Sequence, residues 1–359
     1  MRVLIIELGG SHMESVYSIV HLLHLKKQST FLLCNKGLAD LIKEKEKIDG
    51  IHLVPDTPDS LKTQISVFRQ IRSLIKDKKI DTVIFGTSEI KIVRNLLPFL
   101  PSVNCIGIVH NASKLDHSGT FRYIYRFWIK KYIVLGDFAR SQLSKYPKEK
   151  VLPFYPLYFP QPARSLVSKK EGEKWVIVPG GVISERKDYK SLLDGLAKYP
   201  IPENVKIIFL GKFSSAEAEL RNQVDAINKR QQNIITFDAF LDYDIFHNYI
   251  SLADFMLPLL KIENDSFYSN SRVSGAFNLA YGYKLPVLIP GSYKKNADLR
   301  PFAVYYDSME GLIKILQSVN EMRGTVADIK NSYRNTEKFN LEKMATSFLS
   351  FINTGKSAN

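Results

Sequence analysis

The first half of the chain alternates short apolar runs with amphipathic segments. The runs are rich in β-branched residues and lie at 3–8, 29–34, 51–55, 81–86, 104–110 and 132–136. The segments between them place apolar residues at helical spacing, as in Val16, Ile19, Val20 and Leu23. Short strands that are apolar throughout and are separated by helices are typical of a parallel sheet covered on both faces. The first half therefore predicts an α/β domain.

A proline-rich and then charged stretch interrupts this pattern at 153–172. The alternation restarts after it, with apolar runs at 174–181, 205–211, 233–240, 254–259, 285–291 and 303–307. No internal repeat with a period of about 20–50 residues occurs, which disfavours a solenoid. We predict an N-terminal domain over 1–160, a linker over 161–173, a C-terminal domain over 174–335, and a C-terminal helix over 336–359 that can return to the N-terminal domain.

Composition places the chain among ordinary globular proteins. Hydrophobic residues make up 45% and charged residues 24% of its 359 residues, which argues against a disordered or coiled-coil chain. Cys34 and Cys105 lie in apolar stretches without a CxxC partner, so the sequence predicts neither a disulfide framework nor a zinc site. Glu7 interrupts the apolar start, and no apolar run of about 18 residues follows. We therefore expect a cytoplasmic protein without a membrane span.

The positive charge is concentrated in the first half. The chain carries a net charge of +14, and residues 1–165 hold 25 Lys and Arg against 14 Asp and Glu, a net +11. A basic surface attracts anionic lipid headgroups, nucleic acid or anionic substrates. No RNP, zinc-finger or helix-turn-helix spacing occurs, so we expect no nucleic-acid partner. A peripheral position on the inner face of an anionic membrane is a second expectation from the same charge.

Three segments of the second half carry a more specific pattern. The first, VIVPGGVISERKDYKSLLDGLAKY at 176–199, is a strand that ends in Gly180-Gly181 and is followed by Arg186-Lys187 and a helix. The second joins VKIIFLGKF to ITFDAFLDYDIFHNYISLADFMLPL, and the third is SGAFNLAYGYKLPVLIP at 274–290. Together they resemble the nucleotide-sugar-binding domain of glycosyltransferases with the GT-B fold, in particular the large family-4 group. The resemblance covers most of 174–307.

This resemblance implies an α/β fold with two Rossmann-like domains that face each other across a cleft. It also implies that Lys187 contacts the phosphates of a nucleotide-sugar donor. Ser274-Gly275 opens a helix whose free N–H groups and positive end can receive a diphosphate. The predicted donor residues in the first and third segments are Gly180, Gly181, Arg186, Lys187, Ser274 and Gly275. The alternative is that Arg186 and Lys187 only begin an exposed helix.

The chain departs from the family pattern at the nucleotide. The family's Arg after the strand glycine is Gly181 here, and its two glutamates align with Ser271 and Leu279. Leu279 cannot accept hydrogen bonds from a ribose. The polar stretch 260–272 is the candidate replacement, and within it we predict donor contacts from Glu263, Tyr268 and Arg272. A solvated loop is the equal alternative.

The first predicted strand runs into a glycine-rich loop that ends in an imidazole and a carboxylate. Its residues are Gly9, Gly10, Ser11, His12, Met13 and Glu14. This is not the GxGxxG fingerprint, so a nicotinamide enzyme is disfavoured. In GT-B enzymes this loop lines the acceptor side, which implies acceptor contacts from its glycines and Ser11 and catalytic roles for His12 and Glu14. Otherwise Glu14 only complements a helix dipole and His12 is only a polar loop residue.

A second imidazole follows the strand in IGIVHNASK at 106–114, where His110 stands at the strand end. The segment resembles the family's His-Asp pair, with Asn111 in place of Asp. A histidine here can donate to a sugar hydroxyl or, when neutral, accept a proton. We predict a catalytic role for His110 and an acceptor-side role for Asn111. The alternative is a strand-end histidine bound to backbone.

The stretch TFRYIYRFWIKKYIVLG at 120–136 interleaves aromatic and basic residues. We expect the aromatic side chains to pack on the sheet, because this position holds a helix before a strand in the family. The basic residues that could together rest on an anionic membrane are Arg122, Arg126, Lys130, Lys131, Lys26, Lys27, Lys43, Lys45 and Lys47.

These observations predict a glycosyltransferase that works without a metal or a cofactor. Its donor is a nucleoside diphosphate sugar, with a UDP-sugar as the first choice. The acceptor is a glycan or a lipid-linked saccharide in polysaccharide or glycolipid synthesis. Two alternatives stay open. One is a nucleotide-sugar epimerase on the same fold, which needs additional carboxylates, and the other is a non-catalytic partner subunit that binds sugar or nucleotide.

Overall fold

The computed structural model describes residues 1–9, 12–56, 60–100, 103–261 and 273–353. The chain forms two compact units, each built around its own hydrophobic core. The N-terminal unit comprises Met1–Pro160, Val273 and the described chain from Glu337 to Asn353, and the C-terminal unit comprises the other described residues between Gln161 and Thr336. The chain therefore leaves the N-terminal unit after Pro160, contributes Val273 to it, and rejoins it at Glu337.

A parallel sheet forms the centre of the N-terminal unit. Its strands are β1 Arg2–Glu7, β2 Ser29–Asn35, β3 Gly50–Val54, β4 Thr82–Phe85, β5 Asn104–Val109, β6 Ile129–Leu135 and β7 Val151–Phe154. They lie in the order β3-β2-β1-β4-β5-β6-β7, and Val3 of β1 pairs with Thr30 on one side and Thr82 on the other. Most of the strands are apolar because their side chains are buried on both faces.

One strand of this sheet falls where the sequence predicted only a domain boundary. β7 contains Pro153, which cannot donate a hydrogen bond to a neighbouring strand. The strand lies at the edge of the sheet and pairs only with β6 among the described strands, so the missing donor costs no pairing. Proline is tolerated at such an edge. In the sequence, however, proline indicates a break, so this strand was not predicted.

Short helices connect the strands of the N-terminal unit. They are α1 Met13–Leu25, α2 Lys36–Leu41, α3 Leu61–Asp77, α4 Lys91–Leu96, α5 Ser113–His117, α6 Gly119–Tyr123 and α7 Asp137–Ser141. The side chain of Asn35 caps α2 by accepting from the Leu38 N–H, and that of Ser60 caps α3 by accepting from the Thr63 N–H.

The C-terminal unit repeats this plan. Its strands are β8 Lys174–Pro179, β9 Val205–Lys212, β10 Ile234–Phe237, β11 Phe255–Met256, β12 Val287–Pro290 and β13 Ala303–Tyr306. Its helices are α8 Tyr189–Lys198, α9 Ala218–Gln231, α10 Tyr243–Ser251, α11 Gly275–Tyr283, α12 Met309–Ser318 and α13 Arg323–Asn335. The strand order β10-β9-β8-β11-β12-β13 is that of the first six N-terminal strands. Both units are therefore Rossmann-like, as the sequence predicts.

The last helix belongs to the N-terminal unit. Helix α14, Leu341–Asn353, packs on α1, and its side chains Ala345, Phe348 and Ile352 are buried in the N-terminal core. The rings of Phe348 and Phe154 are 6.0 Å apart, which ties α14 to the edge strand β7.

The two faces of the N-terminal sheet carry different helices. Leu4 shares a core with α3, α4, α5 and α6, whereas Val3 shares a core with α1, α2 and α14. This alternation follows from the twofold period of a strand. The lysines that follow α1 and α2 thus lie on the opposite face from the basic residues of α6 and its following turn. These lysines are Lys26, Lys27, Lys43, Lys45 and Lys47.

The expectation that the aromatic residues of 120–136 pack on the sheet is wrong for two of them. Phe121 and Tyr125 are buried, but Tyr123 is 60% and Phe127 is 56% exposed. The segment forms short α6 and then a 3-10 turn at Tyr125–Phe127, not one long helix. Side chains two positions apart therefore point alternately into the core and outward. In addition, Lys131 is drawn inward, because its Nζ donates to the carbonyl oxygen of Phe351.

We expect Phe348→Ala to destabilise the N-terminal unit by about 3–5 kcal/mol, because it leaves a cavity between α14 and the sheet. The matched control is Ser347→Ala, on the exposed neighbour, which should change the free energy of unfolding by less than about 0.5 kcal/mol. Urea unfolding followed by circular dichroism measures both. An equally small change in the free energy of unfolding for both variants would show that Phe348 does not stabilise the core.

Candidate functional site

Strand order reverses in the N-terminal sheet between β1 and β4, which are neighbours although β2 follows β1 in sequence. Ligands of open α/β sheets bind beside the carboxyl ends of the strands at such a point. Here β1 ends at Glu7 and β4 is followed by Gly86 and Thr87. The polar groups at this place are therefore the first candidates for a site.

Glu7 is a fully buried carboxylate at this reversal. Its oxygens accept from the Gly9 N–H at 2.6 Å and from the Thr87 hydroxyl at 3.0 Å. Burial raises the pKa of Glu7 to about 7, although both hydrogen bonds act to lower it. Glu7 is thus a carboxyl group that changes charge near neutral pH. In the sequence, Glu7 is visible only as a charge within an apolar strand.

Gly86 lets the backbone after β4 approach this carboxylate. A Cβ at Gly86 would overlap Oε2 of Glu7, so no other residue fits without moving the carboxylate. The carbonyl oxygen of Gly86 also accepts from Nε2 of His110 at 2.9 Å. One glycine therefore connects Glu7 to the imidazole at the end of β5.

His12 and Glu14 open α1 at the same edge. His12 has a left-handed backbone with φ of 68°, and its carbonyl accepts from the Ser15 N–H at 3.0 Å. Nδ1 of His12 lies 3.6 Å from Oε1 of Glu14. Burial acts against the charge of each group, but their attraction prevails, raising the pKa of His12 and lowering that of Glu14. The two form an ion pair at the start of the helix.

The ring of His110 stacks on that of His12, with centroids 3.5 Å apart and planes at 16°. Burial and then the positive charge of His12 lower the pKa of His110. His110 is therefore the neutral member of the pair. Because its Nε2 donates to Gly86, its Nδ1 carries the free lone pair, and this atom is buried without a hydrogen-bond partner among the residues described.

Glu89 is a further carboxylate that the sequence analysis did not single out. It accepts from the backbone N–H of His110 at 3.0 Å and of Asn111 at 3.1 Å, and Lys114 lies 3.5 Å away. Glu89 thus fixes the backbone at the end of β5. The side-chain oxygen of Asn111 accepts from Ser113 at 2.7 Å, so this predicted acceptor-side residue is held locally.

The structure therefore brings together His12, Glu14 and His110, which the sequence predicted separately. It adds Glu7, Thr87 and Glu89 around them. Chemically, the cluster combines an imidazole whose positive charge is favoured by Glu14, a second imidazole whose Nδ1 has an unused lone pair, and a carboxyl group with a pKa of about 7. Groups of this kind can bind hydroxyls and exchange protons.

The strand order of the C-terminal sheet reverses between β8 and β11. Gly180 follows β8 with φ of 91°, a conformation that favours glycine. A Cβ at Gly211 of β9 would lie 2.5 Å from the Gly180 carbonyl, so Gly211 is needed for the two backbones to come this close. In the resulting loop after β8, the Gly180 N–H donates to the carbonyl oxygen of Leu210 at 2.9 Å.

Lys187 reaches back to this loop. Its Nζ donates to the carbonyl oxygen of Pro179, the last residue of β8. Burial lowers the pKa of Lys187 to about 7. A bound anion would restore the charge of this amine, because an adjacent negative charge favours the protonated form. Arg186, in contrast, is exposed and forms no ion pair with a described carboxylate.

The other predicted donor elements lie at α11 or outside the described residues. Ser274 caps α11 by accepting from the Ala276 N–H at 3.4 Å. A Cβ added at Gly275 would have no described atom within 4 Å. The predicted residues that lie outside the described ranges are Gly10, Ser11, Glu263, Tyr268 and Arg272.

Within the ranges 1–9, 12–56, 60–100, 103–261 and 273–353, no group of three or more His, Cys, Asp or Glu side chains could hold a metal ion. Nor does any helix in the same ranges have the length and apolar character needed to cross a bilayer.

Comparison with known proteins gives matches in structure only. No protein-family model matches the chain, and no curated protein matches it in sequence. A glycosyltransferase from Rickettsia africae ESF-5 is 14% identical, with a TM-score of 0.63 over 98% of this chain and 97% of that one. HepE from Anabaena, in complex with UDP and glucose, is 14% identical, with a TM-score of 0.65 over 98% and 99% of the two chains.

A third similar structure is a protein from Listeria monocytogenes assigned as a UDP-N-acetylglucosamine 2-epimerase. It is 11% identical, with a TM-score of 0.61 over 98% of this chain and 96% of that one. Such low identity carries the fold and nothing finer. The predicted GT-B fold, with two Rossmann-like α/β domains, is confirmed.

We expect Glu7→Gln to remove a pH dependence of stability. The protonated Glu7 stabilises the fold fully below about pH 4.5, and this stabilisation is lost as the pH rises through about 7. Gln resembles the protonated carboxyl group and stays neutral at every pH. The free energy of unfolding of the variant should therefore rise relative to that of wild type by roughly 2–3 kcal/mol between pH 4.5 and 8.

Urea unfolding at pH 4.5, 6 and 8 measures this difference, with the exposed Glu46→Gln as the matched control. A constant difference between wild type and Glu7→Gln across this range would mean that Glu7 does not titrate there.

Proposed function

We propose that the protein is a glycosyltransferase that moves a sugar from a nucleoside diphosphate sugar to a glycan or a lipid-linked saccharide. The observation that carries the proposal is the position of Lys187 at the carboxyl end of β8. The fold that contains this sheet is similar to that of glycosyltransferases. HepE binds UDP and glucose on the same fold, and this makes a UDP-sugar the first donor to test. Synthesis of a polysaccharide or glycolipid is the corresponding role.

In this proposal the donor's phosphates lie against Gly180 and Gly181, the amine of Lys187, and the N-terminus of α11 at Ser274-Gly275. Lys187 is poised to gain charge, because burial holds its pKa near 7 in the free protein and phosphate would raise it. A positive charge at the diphosphate stabilises the leaving group as the bond to the sugar breaks. This charge and the helix end take the place that a metal ion has in other enzymes, so the reaction needs neither a metal nor a cofactor.

The imidazole cluster of the N-terminal unit serves the sugar hydroxyls in the same proposal. The new bond forms between an acceptor oxygen and the anomeric carbon, and the acceptor hydroxyl gives up its proton. His110 is suited to receive a hydrogen bond or a proton from such a hydroxyl, because its Nδ1 has a lone pair that no described residue uses. The ion pair of His12 and Glu14 keeps the neighbouring ring oriented.

An epimerase acting on a nucleotide sugar is the second candidate. The observation that favours it is the grouping of Glu7, Glu14 and Glu89 around two imidazoles, since carboxylates beside a sugar can remove and return a proton. The similar fold of the Listeria monocytogenes protein agrees with this possibility.

Incubation with UDP-glucose, UDP-galactose and UDP-N-acetylglucosamine separates the candidates. A transferase should release UDP only when an acceptor is added, tested with alkyl glycosides and a polyprenyl-diphosphate-linked saccharide, and EDTA should leave the rate unchanged. Conversion of one UDP-sugar into another without UDP release would establish the epimerase. Binding of none of the donors would favour the non-catalytic partner subunit over both enzymes.

We expect Lys187→Met to weaken UDP binding about 10- to 150-fold, because a charge-assisted contact contributes about 1.5–3 kcal/mol. Titration calorimetry with UDP measures the loss, and Lys190→Met, at an exposed lysine in the first turn of α8, is the matched control. Unchanged affinity of the Lys187 variant would remove this residue from the site.

The same variant gives an independent check of folding. Between about pH 7 and 10.5 the unfolded chain holds a proton that native Lys187 has lost, so wild-type stability rises with pH in this window. Lys187→Met lacks this rise and should be at least as stable as wild type at pH 7. Weaker UDP binding in a fully folded variant is therefore the expected pair of results.

A further inference from the structure

The two helical layers of the N-terminal unit differ in charge. We call segments 60–80, 90–100 and 112–130, which cover one face of the sheet, the basic layer, and segments 12–27, 36–49 and 337–353, which cover the other face, the neutral layer. The basic layer holds twelve Lys and Arg against two Asp and Glu, a net +10. The neutral layer holds eight against seven, a net +1. One face therefore carries most of the charge of the chain.

The cations of the two layers also differ in their partners. In the neutral layer Lys26 pairs with Glu342 at 2.9 Å and Lys47 with Glu44 at 2.8 Å. In the basic layer several exposed cations form no ion pair with any carboxylate among the residues described, namely Lys62, Arg69, Arg72, Lys91, Arg122 and Arg126. They are available to an external anion.

The two acidic residues of the basic layer are already engaged. Asp116 accepts from the backbone N–H groups of Ser144, Lys145 and Tyr146, and these hydrogen bonds lower its pKa although burial acts to raise it. Asp77 accepts from the hydroxyl of Ser73 at 2.6 Å. Neither carboxylate forms an ion pair with a described cation of the layer.

The basic layer also exposes large apolar side chains. Leu61 is 75%, Phe99 58%, Tyr123 60% and Phe127 56% exposed, and Ile65 is exposed as well. In the neutral layer Leu41 is the one comparable case among the described residues. Exposed apolar side chains have a cost in water that disappears in an apolar medium.

These residues lie on connected elements. The rings of Phe68 on α3 and Phe99 are 5.0 Å apart, which joins α3 to the turn after α4. The hydroxyl of Tyr125 donates to the carbonyl of Ile90 at 3.3 Å, which joins the turn after α6 to the start of α4. The exposed side chains of the basic layer therefore belong to one packed set of helices.

We propose that the basic layer is a docking surface for a membrane that contains anionic lipid. Its cations suit phosphate headgroups, and its aromatic and aliphatic side chains suit the region between headgroups and acyl chains. Single-stranded nucleic acid is bound by a basic groove together with aromatic side chains on which the bases stack, and Leu61 and Ile65 offer no such stacking. The mixture of aliphatic and aromatic side chains thus favours lipid.

The candidate site and the basic layer occupy different parts of the N-terminal sheet. Glu7, His12 and His110 lie at the carboxyl edge of the sheet, whereas the basic layer lies on its face. A membrane position would suit the proposed function, because lipid-linked acceptors are found at membranes, and the docking surface rests on that function in this respect only. The binding itself follows from the surface alone.

Sedimentation with vesicles of phosphatidylcholine, with and without phosphatidylglycerol, tests the docking surface. The variant Lys62→Gln, Lys91→Gln, Lys130→Gln removes three exposed charges from the basic layer. Each lysine near an anionic surface contributes about 1 kcal/mol, so its affinity for anionic vesicles should fall about a hundredfold. The matched control, Lys27→Gln, Lys36→Gln, Lys45→Gln, removes three exposed charges from the neutral layer and should change affinity less than about fivefold.

A second variant, Leu61→Ser with Phe127→Ser, tests the apolar contribution. Both side chains are more than half exposed, so the fold should tolerate the change, and circular dichroism checks this. Binding to anionic vesicles should weaken at least tenfold and become more sensitive to salt. Donor and acceptor are absent from these assays, so their outcome is independent of UDP binding and sugar transfer.

Three results would overturn the proposal. They are no binding of wild type to anionic vesicles, equal losses in the two triple-lysine variants, and wild-type affinity in the apolar variant. Tighter binding of a 20-nucleotide single strand than of vesicles, lost in the basic-layer variant, would replace lipid by nucleic acid as the partner.

Discussion

A sheet buried on both faces leaves its polar chemistry to the ends of its strands. In the N-terminal unit Glu7 lies at such an end, that of β1, but its carboxyl group is fully buried. Its hydrogen bonds with Gly9 and Thr87 hold together the loops after β1 and β4. Through Gly86 the same arrangement reaches the imidazole of His110. The geometry of the whole cluster therefore depends on how this one carboxyl group is accommodated.

Much of the fold could be predicted because apolar runs and helical periodicity are local signals. The C-terminal strands and helices lie where the alternation predicts them, whereas the proline-containing edge strand β7 was not predicted and the helix expected within 120–136 is short. The positions of His12, Glu14 and His110 at strand ends were also predictable, because parallel strands bring their carboxyl ends to one edge. The stacking of the two rings was not, since it depends on the left-handed backbone of His12.

Glu7 and Glu89 show why the rest of the site escaped prediction. In the sequence Glu7 is only the last residue of a predicted strand. Its raised pKa depends on burial among residues distant in sequence, such as Thr87. Glu89 reads as an ordinary loop residue, and its role in holding the backbone at His110 requires β4 and β5 to be adjacent. The same holds for charge, because the sequence gives its sum and only the fold assigns it to one face of the sheet.

The return of α14 to the N-terminal unit has a consequence for synthesis of the chain. Domains generally fold as they emerge from the ribosome, with the N-terminal one first. Here the core that contains Val3 and Ile5 also contains Phe348 and Ile352, so it cannot close when residue 160 has emerged. At about 5–20 residues per second, the 177 residues from Pro160 to Glu337 take roughly 10 to 35 s to make. The unit that begins first is therefore completed last, and one face of its sheet lacks its helical cover while the other unit is being made.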